Sequence, residues 1–344
     1  MTTFEALYVP AALREAVSDP AWLAAMLEAE RALNPDEYVF RPEDYDIEAL
    51  CEQGQADASP VVPLVRALRE RAPDAHGPAT SQDILDTAAM LVSSRARALV
   101  LEDLDGVAAA CAGLAEQHRS TPMIARTLLQ EAVPTTFGAK SAGWLVGVVD
   151  ARRRLAAVTL PAQLGGPGGT LDPAETARFA VAVGLAEPVV PWHVHRGPVR
   201  ELAASLDSAA AACGKIGLDI VLLAQTEVGE VAEAAPGGSS SMPHKRNPAA
   251  AVLSRACARL AHANATLLQG GDYEHERAAG SWQAEWPALS AALAFAGGAA
   301  AAARRSLEGL QVDTARMEES VAGEDTGAAD ALVDRALAHY REQA

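Results

Sequence analysis

The run from Ile84 to Gln117 most constrains how this chain can fold. Its apolar residues recur with helical spacing, and it contains no proline and few other helix breakers. A helix of this length buries its apolar face only against other long helices. Alanine is abundant and aromatic residues make up only 4% of the chain, so neighbouring helices can approach closely. We therefore predict an all-α fold built as a long helical bundle.

Further segments with helical patterning flank this run, and residues 1–78 show no alternating strand pattern. Asp19 is the expected N-cap of a helix that starts after Pro20. The uncharged run Trp286–Ala303 contains a proline, small-residue interruptions and mostly alanine, so we interpret it as a buried bundle helix rather than a membrane span. The other expected helices are Ala11–Val17, Ala21–Ala32, Pro63–Ala72, Gly138–Arg152 and Arg200–Ala235.

Two apolar stripes at helical spacing occur in the second half of the chain. The first predicts that one helix continues through the acidic residues near Glu230. The second follows Pro248 and predicts a further amphipathic helix. Their members are Ile216, Ile220, Leu223, Val228 and Val231 in the first stripe, and Val252, Ala256, Leu260, Ala263 and Leu267 in the second.

The charge balance and the cysteines restrict the partners and the compartment. The formal net charge of −17 argues against a nucleic-acid or anionic-membrane partner. The four cysteines lie far apart, which favours free thiols in a reducing cytosol over a disulfide framework or a zinc site. The first residues lack the layout of a signal peptide, so we expect a cytoplasmic protein without a membrane partner.

The segment Pro236–Pro248 reads PGGSSSMPHKRNP and predicts an extended, mobile loop between two helices. Its two glycines remove the side-chain penalty on unusual backbone angles, and Pro243 and Pro248 disfavour helix in the residues before them. The loop carries three hydroxyls and the adjacent cations Lys245 and Arg246. A generic interpretation is a solvated surface loop with a basic patch.

The residues of this loop are more specific than that interpretation requires. Gly238–Pro248 fits the pattern GSSxMPxKxNP, the signature of the fumarase/aspartase superfamily, with Arg246 at a free position. The chain resembles that superfamily from about Asp19 to Leu310. It is most similar to the superfamily's 3-carboxy-cis,cis-muconate cycloisomerases, which belong to protocatechuate (β-ketoadipate) catabolism. The segments that carry the resemblance are residues 60–69, 79–88, 222–231 and 274–286.

The resemblance implies a cofactor-free enzyme in which Ser239 transfers a proton on a small polycarboxylate substrate. A serine is a poor base in water, so this role needs a neighbouring cation, a helix N-terminus and closure that excludes solvent. A glycine-rich mobile loop suits such closure. Another glycine-rich stretch, Leu164–Leu171, lacks the GK[ST] ending of a phosphate loop, so no nucleotide is predicted. The signature loop also supplies predicted substrate-binding residues, namely Ser240, Met242, Lys245 and Asn247.

A second group of candidates precedes the long helix. Thr80 or Ser81 stands where a helix N-cap belongs, and Asp83 follows Thr80 by three residues as in a capping box. An ordinary cap is the generic interpretation, but free N–H groups at a helix start and two hydroxyls also form a cradle for a carboxylate. In the resembled family the Thr-Ser pair binds substrate and the upstream histidine lies at the active site. We therefore predict Thr80 and Ser81 as substrate-binding residues and His76 as catalytic, although Pro78 stands where the family usually has glycine.

The segment Ala125–Gln130 reads ARTLLQ, where superfamily lyases often carry R-T-H-L-Q. In those lyases the histidine assists the leaving group and a glutamate after the signature loop partners it. Here Leu128 and Val252 occupy the two positions, so both halves of the polar pair are missing together. Gln130 matches the family's glutamine and is predicted to bind substrate.

This double substitution has a chemical consequence. Expelling an amine requires a proton donor, whereas a carboxylate leaves unaided because the pKa of its conjugate acid is about 4. Lactone formation and opening use a carboxylate as nucleophile and leaving group. The pattern therefore favours interconversion of 3-carboxy-cis,cis-muconate and 4-carboxymuconolactone over adenylosuccinate or argininosuccinate cleavage. Nitrite is also weakly basic, so a nitrosuccinate-type lyase that releases fumarate is the alternative.

Two more segments match positions near the family's active site. Trp192, His193 and Arg196 fit a Trp-His-x-x-Arg pattern, and Arg196 is suited to bidentate binding of a substrate carboxylate. The generic interpretation is a cluster that caps the next helix. A His-x-His pair in this stretch has no third ligand nearby, so we predict no metal site. His275 and Arg277 belong to a charge cluster that lies near the active-site mouth in the family, and both are predicted to bind substrate.

The resemblance also implies a homotetramer, in which each site takes residues from three chains. Long alanine-rich helices that are too apolar for a monomer surface agree with this. We divide the chain into a small N-terminal helical domain (residues 1–79), a long-helix bundle (residues 80–310) and a remnant of a C-terminal helical domain (residues 311–344). Most of the family's third domain is missing after Met317, and the first domain is shortened around Leu33–Glu37. A non-catalytic, shortened paralogue is therefore a third hypothesis, against which the intact Ser239–Asn247 loop argues.

Overall fold

The computed structural model describes residues 4–33, 39–271, 273–323 and 325–343. The expected shortening around Leu33–Glu37 falls, beyond Leu33 itself, outside the described residues. The helices are α1 (Glu5–Tyr8), α2 (Ala11–Ala16), α3 (Asp19–Leu33), α4 (Ile47–Gly54), α5 (Val61–Arg69), α6 (Ser81–Gln117), α7 (Phe137–Ala157), α8 (Pro173–Val183), α9 (Gly197–Leu223), α10 (Ala249–Gln269), α11 (Ser281–Leu307), α12 (Thr314–Glu319) and α13 (Ala329–Gln343). The strands are β1 (Pro122–Thr127), β2 (Gln130–Thr136), β3 (Val231–Ala232) and β4 (Gln311–Val312), and Pro42–Asp44 and Gln55–Asp57 are 3-10 helices.

The predicted all-α bundle is confirmed. Helix α10 packs between α9 and α11, and α6 packs against α7 and α11, so these five helices share one apolar core. The two small antiparallel pairs, β1–β2 and β3–β4, connect the helices, and Met123 of β1 and Val231 of β3 are buried in the same core. The short N-terminal helices cover the start of α6 mainly through α3, and α13 packs against α7.

The helix starts follow from local chemistry. Thr80 precedes α6, and its amide donates a hydrogen bond of 2.9 Å to the Asp83 carboxylate, which is the expected side-chain-to-backbone bond of a capping box. The Thr136 hydroxyl accepts the amide of Ala139 at the start of α7. Asp172 accepts an amide at the start of α8, whose first residue is a proline.

Helix α11 contains the uncharged run that was interpreted as a bundle helix. It is the one helix among the described residues that is long and apolar enough to cross a membrane, yet 72% of its most apolar window is buried inside the protein. Its alanines and the glycines Gly297 and Gly298 allow neighbours to approach, because a Cβ on Gly298 would lie 2.7 Å from the Tyr8 carbonyl oxygen. This burial agrees with a core helix of the bundle.

Three details of the sequence interpretation are wrong. Helix α9 ends at Leu223 rather than Ala235, and the chain then forms a turn between Gln225 and Gly229, whose φ is +62°. Helix α3 begins at Asp19, and the Ser18 hydroxyl rather than Asp19 accepts the amide of Ala21. Because α9 ends at Leu223, the first apolar stripe does not continue along one helix to Val231.

The second apolar stripe lies on the outer face of α10 in the single chain. Val252 and Leu267 are each 48% exposed, and Ala263 is exposed as well. The core-facing positions of α10 are instead mostly small, namely Ala251, Ser254, Cys257, Ala261 and Ala265, together with the larger Leu268. A helix can thus be apolar on two faces, one against its own chain and one against solvent.

Close approach of α9 and α10 depends on glycine. A Cβ on Gly217 would lie 2.7 Å from the backbone oxygen of Ala251, which is too short to be relieved by a side-chain movement. We expect Gly217→Ala to lower the free energy of unfolding by about 1–3 kcal/mol through this overpacking. Gly113→Ala in α6 is the matched control, since nothing lies within 4 Å of its Cβ position.

We expect the Gly113→Ala variant to be more stable by roughly 0.5–1 kcal/mol, because alanine is the better helix former. Urea denaturation of both variants at one protein concentration measures the difference. Equal stability of the two variants would contradict the packing explanation.

Candidate active site

The predicted site residues fall into two groups at opposite ends of the bundle. The first group, here called the α6-end cluster, surrounds the starts of α6, α9 and α11 and contains His76, Thr80, Ser81, His193, Arg196, His275 and Arg277. The second, here called the loop cluster, surrounds the start of α10 and the β1–β2 hairpin and contains Gln130, Ser239, Ser240, Met242, Lys245 and Asn247.

Asp83 organises the α6-end cluster. Its carboxylate is fully buried and accepts the amides of Thr80, Gly165 and Gly166 at 2.8–2.9 Å. Its Oδ1 also lies 2.7 Å from His193 Nε2 and 3.3 Å from the Gln163 side-chain nitrogen. These hydrogen bonds fix the glycine-rich turn and the histidine against the start of α6.

His193 is held rather than free. It is 4% exposed, and its ring contacts the glycine-rich turn so closely that a Cβ on Gly165 would lie 3.0 Å from a ring carbon. Gln82 of α6 donates to the His193 carbonyl oxygen at 2.8 Å. The hydrogen bond between His193 Nε2 and the accepting Asp83 carboxylate leaves the other ring nitrogen for further partners.

Arg196 has internal partners in the single chain. Its guanidinium is buried and donates to Asp86 at 2.7 and 2.9 Å and to Glu285 through Nε at 3.1 Å, with a further short contact to Glu285. It also lies 4.8 Å from the ring centre of Trp192. Burial alone would lower the pKa of Arg196, but the two carboxylates raise it instead. The guanidinium is thus engaged internally without capping α9 through its side chain, and substrate binding by Arg196 stays a prediction.

The same buried cluster draws on two further donors. Trp282 Nε1 donates to Asp86 at 3.0 Å, and the Tyr273 hydroxyl donates to Glu285 at 2.7 Å. Burial, reinforced by Glu285, raises the pKa of Tyr273 to about 12, so the hydroxyl keeps its proton. Asp86 and Glu285 together carry one more charge than Arg196 neutralises. The neutral N–H of Trp282 and O–H of Tyr273 stabilise that excess negative charge.

The remaining members of the α6-end cluster differ in accessibility. Thr80 and Ser81 are half-buried at the start of α6, and Arg277 donates to the Gln82 side-chain oxygen and the Pro167 carbonyl, each at 3.3 Å. His275 is exposed and has a φ of +47°. Thr80, Ser81 and Arg277 therefore lie next to the Asp83 network, while His275 lies on the surface.

His76 is paired with an acid that the sequence did not indicate. Its Nδ1 lies 2.7 Å from Oε1 of Glu30, which is 2% exposed. The residue has a φ of +75°, a conformation that costs free energy for a non-glycine residue. The turn that carries it leads directly to Thr80, so the pair orients the imidazole beside the start of α6.

The signature loop is pinned at both ends. Gly237 and Asn247 exchange backbone hydrogen bonds of 2.8 and 2.9 Å, and the Asn247 side chain donates to the Gly238 carbonyl at 2.8 Å. Within the closed loop, Ser239 Oγ accepts the amides of Ser241 at 3.4 Å and Met242 at 3.2 Å. Two amides directed at one hydroxyl oxygen favour negative charge on it.

The side chains of the loop are open to solvent. Ser240, Met242 and Lys245 are exposed, and Ser239 and Asn247 are half-buried. The base of the loop is fixed by Glu233, which is 3% exposed and accepts the amides of Ala250 and Ala251 at 3.1 and 2.8 Å. A rigid base with an exposed tip suits a segment that contacts something beyond its own chain.

The β1–β2 hairpin carries the position where superfamily lyases have histidine. Leu128 and Leu129 form its two-residue turn with φ values of +51° and +65°, and Leu128 is 96% exposed. Arg126 is bound at 2.6 and 3.1 Å to Glu230, whose side chain is buried, and this bond raises the pKa of Arg126. Gln130 is exposed at the start of β2.

The length of α9 separates the two clusters within one chain. Its start adjoins Arg196, whereas Gly217 contacts Ala251 at the start of α10, directly after the signature loop. Twenty residues of helix between these points correspond to about 30 Å at 1.5 Å per residue. Ser239 and Thr80 of the same chain therefore cannot contact one small substrate.

The sequence analysis missed the buried carboxylates. The sequence analysis does not single out Asp86, Glu285, Glu30 or Glu233, and it places Glu230 on a helix that continues past Leu223. Asp83 was predicted only as a cap. The sequence does hold a signal for Asp83 and Asp86. They lie three residues apart in an otherwise alanine-rich helix, and charged residues in a buried helix are paired. For the described residues, no group of three or more His, Cys, Asp or Glu side chains is arranged to bind a metal.

Comparison with known proteins gives concordant results. A protein-family profile described as "Lyase" matches residues 58–261. Nitrosuccinate lyase from Streptomyces davaonensis is 45% identical over 349 residues, which cover 89% of this chain and 74% of that protein. The 3-carboxy-cis,cis-muconate cycloisomerase of Bradyrhizobium diazoefficiens is 39% identical over 347 residues, which cover 90% and 77%. The crystal structure of 3-carboxy-cis,cis-muconate lactonizing enzyme from Pseudomonas putida matches with a TM-score of 0.90 and 29% identity over 99% of both chains.

These similarities extend over most of the chain and agree with the signature at Gly238–Pro248. They confirm the resemblance inferred from that loop. The chain is a member of the lyase family of the fumarase/aspartase superfamily, and it is an enzyme of that superfamily's lyase and cycloisomerase type.

Proposed function

We propose that the protein is a cofactor-free cycloisomerase that interconverts 3-carboxy-cis,cis-muconate and 4-carboxymuconolactone. The observation that carries this proposal is the environment of Ser239, whose Oγ accepts two backbone amides inside a pinned loop. Such an oxygen is stabilised as an alkoxide, which is the form that a serine base requires.

The proposed chemistry balances without a second acid. In the lactone-opening direction, the Ser239 alkoxide removes a proton from the carbon beside a carboxylate, and the ring C–O bond breaks to release a carboxylate. In the lactonising direction, the substrate carboxylate forms the C–O bond and the Ser239 hydroxyl returns the proton to carbon. Lys245 and Asn247 would stabilise the charge that develops on the intermediate. Leu128, an apolar residue at the family's histidine position, is compatible with this route because the leaving oxygen needs no proton.

We further propose that the working protein is a homotetramer. The exposed apolar stripe on α10, with Val252 and Leu267 at its ends, supports burial against another copy of the chain. The separation of about 30 Å between the two clusters supports a site in which one chain supplies Ser239 and another supplies Thr80. The exposed leucine at the hairpin turn also fits insertion into a neighbouring subunit.

A nitrosuccinate lyase is the second candidate. It is supported by the 45% identity to the Streptomyces enzyme, which exceeds the 39% identity to the Bradyrhizobium cycloisomerase. The same residues would act on that substrate. Ser239 would remove the proton, the C–N bond would break, and nitrite would leave without being protonated while fumarate forms.

The two candidates are separated by parallel assays of the purified protein. With 3-carboxy-cis,cis-muconate we expect loss of the muconate diene absorbance. With 2-nitrosuccinate we expect a kcat/KM about 100-fold or more below the kcat/KM for 3-carboxy-cis,cis-muconate. The opposite ratio would assign the lyase activity instead. Inactivity on both compounds, in a folded protein that elutes as a tetramer, would favour the non-catalytic paralogue.

The role of Ser239 is tested by removing its hydroxyl. We expect Ser239→Ala to lower kcat by about 10³-fold or more, because the base is lost, while the circular dichroism spectrum and the elution volume stay unchanged. Ser241→Ala is the matched control. It removes a neighbouring hydroxyl but keeps the backbone amide that Ser239 accepts, so turnover should stay within a few-fold of the parent. Near-normal turnover of Ser239→Ala would reject the mechanism.

The shared site is tested by mixing two inactive chains. Differently tagged Ser239→Ala and Thr80→Ala chains are co-expressed and the hybrid tetramers are purified. If each site takes these residues from different chains, random assembly restores about a quarter of the sites. If both residues came from one chain, the hybrids would stay as inactive as the parents. Co-expression of Ser239→Ala chains carrying both tags controls for tag effects.

A further inference from the structure

The pair of His76 and Glu30 joins the turn before α6 to helix α3, and stability alone does not explain it. Glu30 is 2% exposed, and its Oε2 is buried without a hydrogen-bond partner among the described residues. Within that part of the chain, His76 is the only side chain bound to the Glu30 carboxylate. Buried polar atoms are nearly always paired, so the unpaired oxygen of Glu30 destabilises the fold.

The backbone at His76 adds a second unfavourable feature. Its φ of +75° lies in the left-handed region that glycine tolerates and other residues occupy only at a cost in free energy. The turn is nevertheless held in place. The His76 carbonyl accepts the amide of Ala79 at 3.0 Å, and Arg69 Nε donates to the Ala75 carbonyl at 3.2 Å. Unfavourable features of this kind concentrate at functional sites.

The two ring nitrogens of His76 have different surroundings. Nδ1 lies 2.7 Å from Oε1 of Glu30, whose side chain is fully buried, while the imidazole is 11% exposed. Nε2 has no hydrogen-bond partner among the described residues. It is not one of their buried unpartnered atoms either, so it is open to solvent or to a ligand. The ring is thus fixed through one nitrogen and offers the other.

We propose that Glu30 is a positioning residue that acts through His76. An ionised carboxylate only accepts hydrogen bonds, so Nδ1 carries the proton of the neutral ring and Nε2 keeps its lone pair. Nε2 is then an acceptor, for a hydrogen bond or for a proton, on a residue four positions before Thr80. The effect of Glu30 on turnover rests on the proposed function, whereas the tautomer that it imposes does not.

The tautomer is tested without any turnover. The full chain, labelled with nitrogen-15 in histidine, is sedimented and measured by magic-angle-spinning NMR at pH 8, and the His76→Asn spectrum identifies the signals of His76. We expect a protonated Nδ1 and an unprotonated Nε2 in the parent protein. Glu30→Leu removes the acceptor and should shift His76 toward the form protonated at Nε2.

Glu28→Leu is the matched control for this measurement. It makes the same exchange two residues earlier in α3, where the carboxylate pairs with Arg95, and it should leave the His76 signals unchanged. A parent ring protonated at Nε2 would overturn the proposal, and this outcome does not require the Glu30 variant to fold.

Turnover of whichever substrate the enzyme accepts gives the second readout. We expect Glu30→Leu to lower kcat/KM about tenfold or more. Its melting temperature should stay at or above that of the parent, because an unpaired buried carboxylate oxygen is removed. In the His76→Asn background the same exchange should change kcat/KM by less than about twofold, since Glu30 then has no imidazole to position.

The outcomes separate this proposal from the proposed function. Parental kcat/KM in Glu30→Leu, or equal losses in both backgrounds, would overturn the positioning role while the reaction itself stands. A protein inactive on both substrates would contradict the proposed function, and the NMR result would still decide whether Glu30 sets the tautomer of His76.

Discussion

A buried arginine between two carboxylates aligns the long helices of this protein. Arg196 precedes α9, Asp86 belongs to the second turn of α6, and Glu285 to the second turn of α11, so one guanidinium joins the starts of three helices. Removing one partner from such a cluster leaves an uncompensated buried charge, which costs several kcal/mol. Because these helices are long and rigid, fixing their starts also determines where their far ends lie.

As a result, the two ends of the bundle carry different groups of predicted site residues. At one end, the Asp83 carboxylate gathers Thr80, His193 and the glycine-rich turn. At the other end, Glu233 fixes the base of the signature loop and leaves Ser239 to accept two amides near the surface. A buried carboxylate fixes the geometry at each end. In the proposed function, neither end alone supplies all the groups that act on a polycarboxylate substrate. Oligomerisation is the physical means by which two distant half-sites of such a rigid bundle can meet.

The sequence interpretation succeeded where local rules decide the outcome. Proline-free helical periodicity predicted α6, and proline and glycine spacing predicted the loop before α10. It did not show which residues are buried. Arg196 matched a family pattern, but only the tertiary structure shows Asp86 and Glu285 around it. The stripe of Val252 and Leu267 has the helical period, but a period does not tell whether a face meets its own core or solvent.

By itself, the sequence determined the all-α class, the superfamily and the identity of the loop that carries Ser239, since each depends on residues close together along the chain. The tertiary structure decided which charges are internal, where α9 ends, and that the loop with Ser239 and the helix start with Thr80 lie towards opposite ends of α9. The physical reason is that pairing of buried charges and the separation of helix ends depend on contacts between residues such as Arg196 and Asp86, which are far apart in the sequence and leave no local pattern.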